Sequence, residues 1–242
     1  MLRRRPGTAR SSELGTVPDL RCSSKSAFTR VFDALRVLHC VRDTSDDRMK
    51  ILYIYCHPLP ESFHGAIRSE ALGALQEAGH AVDLCDLYAE KFDPVMSAEE
   101  RRDYHDLTKN QSRVTEYVRR LRAADALICQ FPVWSFGPPA MLKGWFDRLL
   151  MPGVAFDLSN PNMAVPLLQN LKRIAAITTY GRPWWNALLV GDPPRRIMTR
   201  YMPRFTGGKA RVDYYPLYHM NVASQERRKA FMAKVRGAML RF

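Results

Sequence analysis

The chain has 242 residues, of which 46% are hydrophobic and 10% aromatic, and its formal net charge is +13. This apolar share is sufficient for a large core, so the composition excludes a chain that is disordered throughout. No stretch approaches the roughly 20 consecutive apolar residues of a membrane-spanning helix, so none is predicted.

Residues 1–48 differ in composition from the rest of the chain. Residues 1–25 are rich in Arg and Ser without sustained periodicity, and residues 26–42 could form one short amphipathic helix. The segment lacks the continuous apolar core of a signal peptide, although Arg and Ser enrichment also occurs in transit peptides. We expect a poorly ordered extension or a translation start that really lies at Met49, followed by one domain over residues 49–242.

From Met49 onward, short apolar runs alternate with stretches of helical spacing. The apolar runs are predicted as strands, and caps such as Ser62 before a helix and Gly79 after it predict the helix ends. The predicted strands are 51–56, 81–87, 126–131, 174–179 and 211–217. The predicted helices are 63–78, 97–105, 113–123, 140–150, 194–204 and 225–242.

Five strands separated by helices predict an α/β fold with a doubly wound parallel sheet and helices on both faces. Ligands of such sheets bind at the carboxyl ends of the strands, near the point where the strand order reverses. The loops that could hold a ligand are therefore 57–62, 132–139 and 180–193.

The first loop leads from a strand directly into the amino terminus of a helix. Free backbone N–H groups and the helix dipole favour an anion such as phosphate there, and His57 and Ser62 add further donors. Neither a GxxxxGK[ST] nor a GxGxxG pattern is present, which argues against ordinary P-loop and Rossmann sites. The alternative is that Ser62 only caps the helix and His57 only ends the strand.

The second and third loops carry aromatic residues where turns usually have Asp, Asn or Ser. The second, PVWSFG, could bind a flat heteroaromatic ring, or it could be a hydrophobic cap over the sheet. In the third, TTYGRPWWN, backbone amides around Tyr180 and Gly181 could reach the polar edge of the same ring. Trp184 and Trp185 could wall a pocket or form an oligomer interface.

Three motifs, HPLPESFH, FPVWSFGPPAMLKGWFDRLL and ITTYG, carry a resemblance to a known family. Residues 49–242, about four-fifths of the chain, resemble the flavodoxin-like NAD(P)H dehydrogenase (quinone) family. That family includes the mammalian quinone reductases and bacterial modulators of drug activity. The resemblance implies a flavodoxin-like fold.

The resemblance also implies a tightly bound flavin, FAD or FMN. Its phosphates are expected at His57, Ser62, Phe63 and His64. Its isoalloxazine ring is expected against Pro132, Val133, Trp134, Ser135 and Phe136, with Thr178, Thr179, Tyr180 and Gly181 over the polar edge. Two departures are His64, where relatives often have Asn, and the lack of an evident Tyr-and-His pair after Gly181.

The implied activity is a two-electron, ping-pong transfer of hydride from NAD(P)H through flavin N5 to a quinone or similar acceptor. Backbone N–H groups of the Thr179–Gly181 turn would stabilise negative charge near N1 and C2=O, which makes Tyr180 and Gly181 the expected catalytic positions. Two alternatives remain: a regulatory flavoprotein subunit of a membrane potassium-efflux system, and a flavodoxin-like electron carrier. Electron carriers of that kind are usually shorter and acidic, so a basic chain of this length argues against the second alternative.

The implied partners are a small-molecule acceptor, a second copy in a homodimer and, in the regulatory alternative, a membrane protein. No nucleic acid is expected, because basic residues are not interleaved with exposed aromatics in a recognition motif. No metal site is predicted. The five cysteines are odd in number and include no CxxC pair, which favours reduced core thiols in a cytoplasmic protein.

The positive charge is concentrated in residues 172–242, which hold fifteen Lys and Arg against three acidic residues. Arg196, Arg200 and Arg204 recur every four residues and are predicted to share one helix face, opposite Ile197, Met198, Tyr201 and Met202. They could favour NADPH over NADH or dock an acidic partner or membrane surface. The alternative is a solvated face.

Overall fold

The computed structural model describes residues 48–160 and 163–242. The strands are β1 Lys50–Tyr55, β2 Ala81–Asp86, β3 Ala126–Val133, β4 Phe156–Asp157, β5 Val165–Pro166, β6 Arg173–Tyr180 and β7 Arg211–Leu217. The predicted doubly wound sheet is confirmed: five parallel strands lie in the order β2-β1-β3-β6-β7, and an antiparallel pair β4-β5 forms a separate sheet. The expected extension 1–48 falls almost entirely outside the described residues.

Seven α-helices accompany the strands in the described part of the chain. They are α1 Phe63–Glu77, α2 Ala98–Asp103, α3 Thr115–Ala123, α4 Ala140–Leu149, α5 Trp184–Leu189, α6 Pro193–Arg196 and α7 Gln225–Met239. Two 3₁₀ segments, Met202–Thr206 and Met220–Val222, and a π-helical turn, Ile197–Tyr201, complete the helical structure. As predicted, Ser62 caps α1: the Gly65 N–H donates to its Oγ at 3.2 Å.

The sheet is covered on both faces, which explains why its central strands are apolar at consecutive positions. Successive side chains of a strand point to opposite faces. In β1, Leu52 and Ile54 therefore join the core beneath α3, α4 and segment 197–206, whereas Ile51 and Tyr53 join the core beneath α1 and α7. Cys56, Cys85 and Cys129 are buried free thiols, as predicted; Cys22 and Cys40 lie outside the described residues.

The predicted helix 194–204 is only partly correct. It is divided into α6, the π-helical turn and a 3₁₀ segment, because Pro203 has no N–H to donate to the Thr199 carbonyl in a regular α-helix. The arginines do share a surface, a groove of about 340 Å³. Ile197 and Tyr201 line the same groove rather than the opposite face.

Two residues that follow the second loop, Gly144 and Arg148, make contacts that explain why these residue types are present there. Gly144 lies so close to the loop that precedes α2 that a Cβ there would overlap the Pro94 carbonyl oxygen. Arg148 is nearly buried; its guanidinium pairs with Glu100 at 2.5 Å and donates to the Asp93 carbonyl. These contacts hold α2 and the preceding loop against α4, so part of the motif FPVWSFGPPAMLKGWFDRLL maintains the fold.

Candidate functional site

The strand register brings the three predicted loops to one edge of the sheet. At that edge Tyr55 pairs with Gln130, Pro132 with Thr179, and Val133 with Tyr180. Pro132 lies beyond the last pair between β1 and β3, so its missing N–H costs no ladder bond. The carboxyl ends of β1, β3 and β6 are therefore neighbours, as the sequence predicts.

The first wall of the site is the amino terminus of α1. The backbone N–H groups of Phe63 and His64 have no acceptor among the described residues. The Ser62 oxygen accepts from Gly65 but keeps its own proton for another acceptor. Free N–H groups at the positive end of a fifteen-residue helix can bind a phosphate.

The second wall is a tight turn over residues 134–137. Trp134 and Gly137 exchange backbone hydrogen bonds of 3.0 and 2.8 Å, and Ser135 and Phe136 have φ of 49° and 55°. A turn with two central residues at positive φ is of type I′, which normally takes Asn-Gly. Two non-glycine residues in this conformation store backbone strain, and strain of this kind is concentrated at functional sites.

A cleft of about 130 Å³ lies between the second and third loops. Asn221, which sequence reasoning missed, lies against Gly181, where a Cβ would stand 3.1 Å from the Asn221 amide nitrogen. Asn221 follows the carboxyl end of β7, so the rule that points to strand ends could have found it. The cleft is lined by Val133, Ser135, Phe136, Tyr180, Gly181, Arg182 and Asn221.

His57 joins the first loop to the second. Its Nδ1 lies 3.1 Å from the Leu59 backbone nitrogen and 3.2 Å from the Leu59 carbonyl oxygen, and Nε2 is a donor in the tautomer in which Nδ1 accepts the Leu59 N–H. The His57 ring stacks on His64, with centroids 5.4 Å apart, and lies 6.2 Å from the ring of Trp134. Trp134 itself is 44% exposed, which suits contact with a planar ligand.

The His64 side chain is directed into the protein. Both ring nitrogens are engaged: Nε2 lies 2.9 Å from the Thr179 hydroxyl and Nδ1 lies 3.2 Å from the Gln130 amide. Burial, with a contribution from His57, lowers the pKa of His64 to about 3, so the ring is neutral. Only the backbone N–H of His64 faces the expected phosphate position.

The Tyr180 side chain belongs to a buried cluster on the other face of β6. Its hydroxyl donates to Asp192 at 2.6 Å and contacts the Tyr214 hydroxyl at 2.5 Å, and Tyr218 donates to Asp192 at 3.3 Å. Burial, followed by Tyr214 and Asp192, raises the pKa of Tyr180. The Tyr180 hydroxyl is therefore a poor acid, and any chemical role of residue 180 falls to its backbone.

The side chains of three other residues from the predicted loops and strand ends lie outside the cleft. Thr178 is buried and its hydroxyl donates to Tyr214 at 3.3 Å, so its side chain supports the cluster on the other face of β6. Trp184 and Trp185 are 60% and 51% exposed on α5, a helix that lies within a predicted loop.

A groove of about 260 Å³ at the amino ends of β1 and β2, beside Arg120, lies at the end of the strands where doubly wound sheets do not bind ligands. Residues 48–160 and 163–242 contain no group of three or more His, Cys, Asp or Glu that could hold a metal ion. Over the same ranges, no helix is both long and apolar enough to cross a bilayer.

Known proteins with similar sequences and structures share this architecture. The chain is 34% identical to human ribosyldihydronicotinamide dehydrogenase [quinone] over 148 residues, 54% of this chain and 64% of the relative. It thus spans less than two-thirds of the length of that relative. The crystal structure of Smu.1420 from Streptococcus mutans UA159 is 30% identical, with a TM-score of 0.69 over 80% of this chain and 100% of that one.

A second solved structure, NAD(P)H:quinone oxidoreductase from Methanothermobacter marburgensis, is 23% identical with a TM-score of 0.69, and it covers 80% of this chain and 98% of that chain. At this identity the likeness supports the fold. The model of the family described as having a flavodoxin-like fold matches residues 49–237, and the chain belongs to that family.

Proposed function

We propose that this protein is a flavin-dependent NAD(P)H:quinone oxidoreductase. The observation that carries the proposal is the alignment, along one edge of the sheet, of unpartnered helix N–H groups, an aromatic type I′ turn and the cleft beside Gly181. The similarity to a quinone dehydrogenase supports the same reading.

The donors and surfaces of the site match a flavin. The N–H groups of Phe63 and His64, with the Ser62 hydroxyl and His57 Nε2, would hold a phosphate of FAD or FMN. The isoalloxazine would lie against the segment Pro132–Phe136. A bound flavin supplies two-electron hydride chemistry between NAD(P)H and a quinone, in a ping-pong order because one face serves both.

The polypeptide would orient the ring and stabilise its charge. Backbone N–H groups at the carboxyl end of β6, in residues 179–181, are the proposed donors to the N1 and C2=O edge, where negative charge develops. Their position is fixed by β6, which is buried and paired on both sides up to this point. Because the Tyr180 hydroxyl is bound to Asp192, the scheme uses no proton from that side chain.

The proposal includes a homodimer in the cytoplasm, where buried free thiols such as Cys129 stay reduced. An exposed apolar surface on and after α5 supports a protein contact: Trp184, Trp185, Leu188, Leu189 and Val190. The same surface would suit a membrane-protein partner if the chain regulates a potassium-efflux system. Co-purification with such a transporter would favour that second function.

The test is an absorbance spectrum of the full purified chain, followed by anaerobic addition of NADPH and then of a quinone. Flavin bands that bleach with NADPH and return with the quinone are the expected result. A colourless protein that takes up neither FAD nor FMN would overturn the proposal. A yellow protein that NADPH does not bleach would favour the regulator or the electron carrier.

A further inference from the structure

We propose that His64 is a positioning residue, whose ring fixes the Thr179 hydroxyl so that the Thr179 proton is available to a flavin. This differs from the sequence expectation that His64 holds the flavin phosphate. The inference rests on the proposed function, because it assumes a flavin at this edge of the sheet.

The tautomer of His64 follows from its neighbours. The Gln130 amide nitrogen lies 2.7 Å from the His64 carbonyl oxygen, and a carbonyl can only accept, so this atom is the NH₂ group. The same NH₂ group lies 3.2 Å from His64 Nδ1, which must therefore accept. The Tyr53 hydroxyl donates to the Gln130 carbonyl oxygen at 2.5 Å and holds the amide in this orientation.

A neutral ring whose Nδ1 accepts carries its proton on Nε2. Nε2 therefore donates to the Thr179 oxygen at 2.9 Å. This contact leaves the Thr179 proton directed elsewhere, and the described residues offer it no other acceptor. Thr179 is 7% exposed at the carboxyl end of β6, so the proton is available at the edge where the flavin would lie.

Two features argue against a direct role of the ring in phosphate binding. Both ring nitrogens already have partners inside the protein, so no N–H of the ring is left for a phosphate oxygen. The pKa of about 3 also keeps the ring uncharged, so His64 offers a phosphate no positive charge. The polar chain Tyr53–Gln130–His64–Thr179 instead connects β1, α1, β3 and β6 behind the site.

The experiment compares riboflavin with FMN, which differ by the phosphate, by quenching of flavin fluorescence on the full-length apoprotein. His64→Gln keeps an N–H near the Nε2 position, whereas the shorter His64→Asn does not reach it. We expect His64→Asn and Thr179→Val each to lower the affinity for riboflavin and the affinity for FMN by the same factor, about tenfold. His64→Gln should stay within about threefold of the wild type. Ser62→Ala is the control for a phosphate contact and should weaken FMN more than riboflavin.

Two further measurements test the proposal independently: the combined effect of the His64 and Thr179 substitutions, and the tautomer of the His64 ring. If the ring acts through Thr179, combining His64→Asn with Thr179→Val should be no worse than either alone. In Gln130→Glu the carboxylate can only accept, so His64 Nδ1 should become the donor and the tautomer should reverse. The affinity for both flavins should then fall as it does in Thr179→Val. Long-range ¹H–¹⁵N spectra of the apoprotein should show the Nε2–H tautomer in the wild type, without any flavin.

Several outcomes would overturn the inference. A loss confined to FMN would make His64 a phosphate ligand, and losses that multiply in the double variant would separate it from Thr179. An Nδ1–H tautomer of His64 in the wild type would also refute it, and so would a flavin affinity of His64→Gln as low as that of His64→Asn. A wild-type protein that binds neither flavin refutes the proposed function instead, and the spectra would still decide the tautomer.

Discussion

The carboxylate of Asp192 accepts hydrogen bonds from the hydroxyls of Tyr180 and Tyr218, at 2.6 and 3.3 Å. Asp192 itself has a left-handed backbone, with φ 44° and ψ 62°, and is almost fully buried. The end of α5 is thus fastened to the end of β6, so the backbone of the third loop depends on a residue eleven positions after Gly181.

Asp192→Ala should destabilise the protein by about 2–4 kcal/mol, because the Tyr180 and Tyr218 hydroxyls lose the carboxylate that accepts their hydrogen bonds. Ala also tolerates the left-handed backbone at this position less well than Asp does. Asp192→Asn keeps an acceptor and tolerates this conformation, so it should cost less than half as much. Urea unfolding measures both. The control is Asp147→Ala, which removes an exposed ion pair with Lys143 and should cost under about 1 kcal/mol. Equal losses for Ala and Asn would contradict this role of the carboxylate.

Buried neutral His64 should make stability depend on pH. Its pKa falls from 6.5 to about 3 on folding, so the unfolded chain binds more protons below pH 6.5. The contribution is fully present above pH 6.5 and is lost as the pH falls towards 3, with about 2 kcal/mol lost by pH 5. In urea titrations at pH 7.5 and 5, His64→Gln should lose less stability than the wild type by that amount. His105→Gln, which removes an exposed ring, should keep the wild-type dependence; a wild-type slope in His64→Gln would refute the prediction.

Gly144 and Gly73 provide a matched pair of helical glycines. A Cβ at Gly144 would overlap the Pro94 carbonyl, whereas a Cβ at Gly73 would meet nothing within 4 Å. Gly144→Ala should therefore destabilise the fold by about 1–3 kcal/mol or displace the 92–105 segment. Gly73→Ala should stabilise it by about 0.5–1 kcal/mol through helix propensity. Thermal unfolding of the two variants decides this, and shifts of the same sign would show that the close approach is relieved at little cost.

The sequence predicted the parts of the structure that depend on local pattern. The parallel doubly wound sheet and the three loops at its carboxyl edge follow from the alternation of apolar runs and helices, and Ser62 is recognisable as a cap. The orientation of the His64 ring was not predictable, because it depends on Gln130 and Thr179, 66 and 115 residues away. The role of Asp192 likewise depends on its distant partner Tyr218 and on the hydroxyl of Tyr214 beside Tyr180. Helix α5 was missed because Pro183 and Gly191 bracket only six helical residues.

We expect the strained turn at Ser135 and Phe136 to lower the stability of the protein and to increase its affinity for the ligand. Replacing these residues by Asn and Gly, the pair that a type I′ turn favours, should stabilise the protein by about 1 kcal/mol. The same double variant removes the Phe136 ring from the cleft, so flavin affinity should fall about tenfold or more. Chemical unfolding and flavin titration measure the two effects. A variant that gains stability and retains flavin affinity would show that the Phe136 ring does not contribute to flavin binding.

Arg196, Arg200 and Arg204 line one groove, and none of them pairs with a carboxylate in the described ranges. Guanidinium groups without acidic partners suit a phosphate, and NADPH differs from NADH by a 2′-phosphate. If the groove binds that phosphate, replacing all three residues by Gln should raise KM for NADPH about tenfold or more and leave KM for NADH unchanged.

The matched control for this groove replaces Arg227, Arg228 and Lys229 of α7 by Gln, which removes the same charge from another surface. Equal effects of the two triple variants would indicate a general electrostatic attraction, which raised salt should abolish. A groove variant with unchanged NADPH kinetics but weaker sedimentation with anionic vesicles would assign the arginines to surface docking. If neither property changes, the three arginines form a solvated face, and selection between the two nicotinamide cofactors must be sought at the cleft beside Arg182.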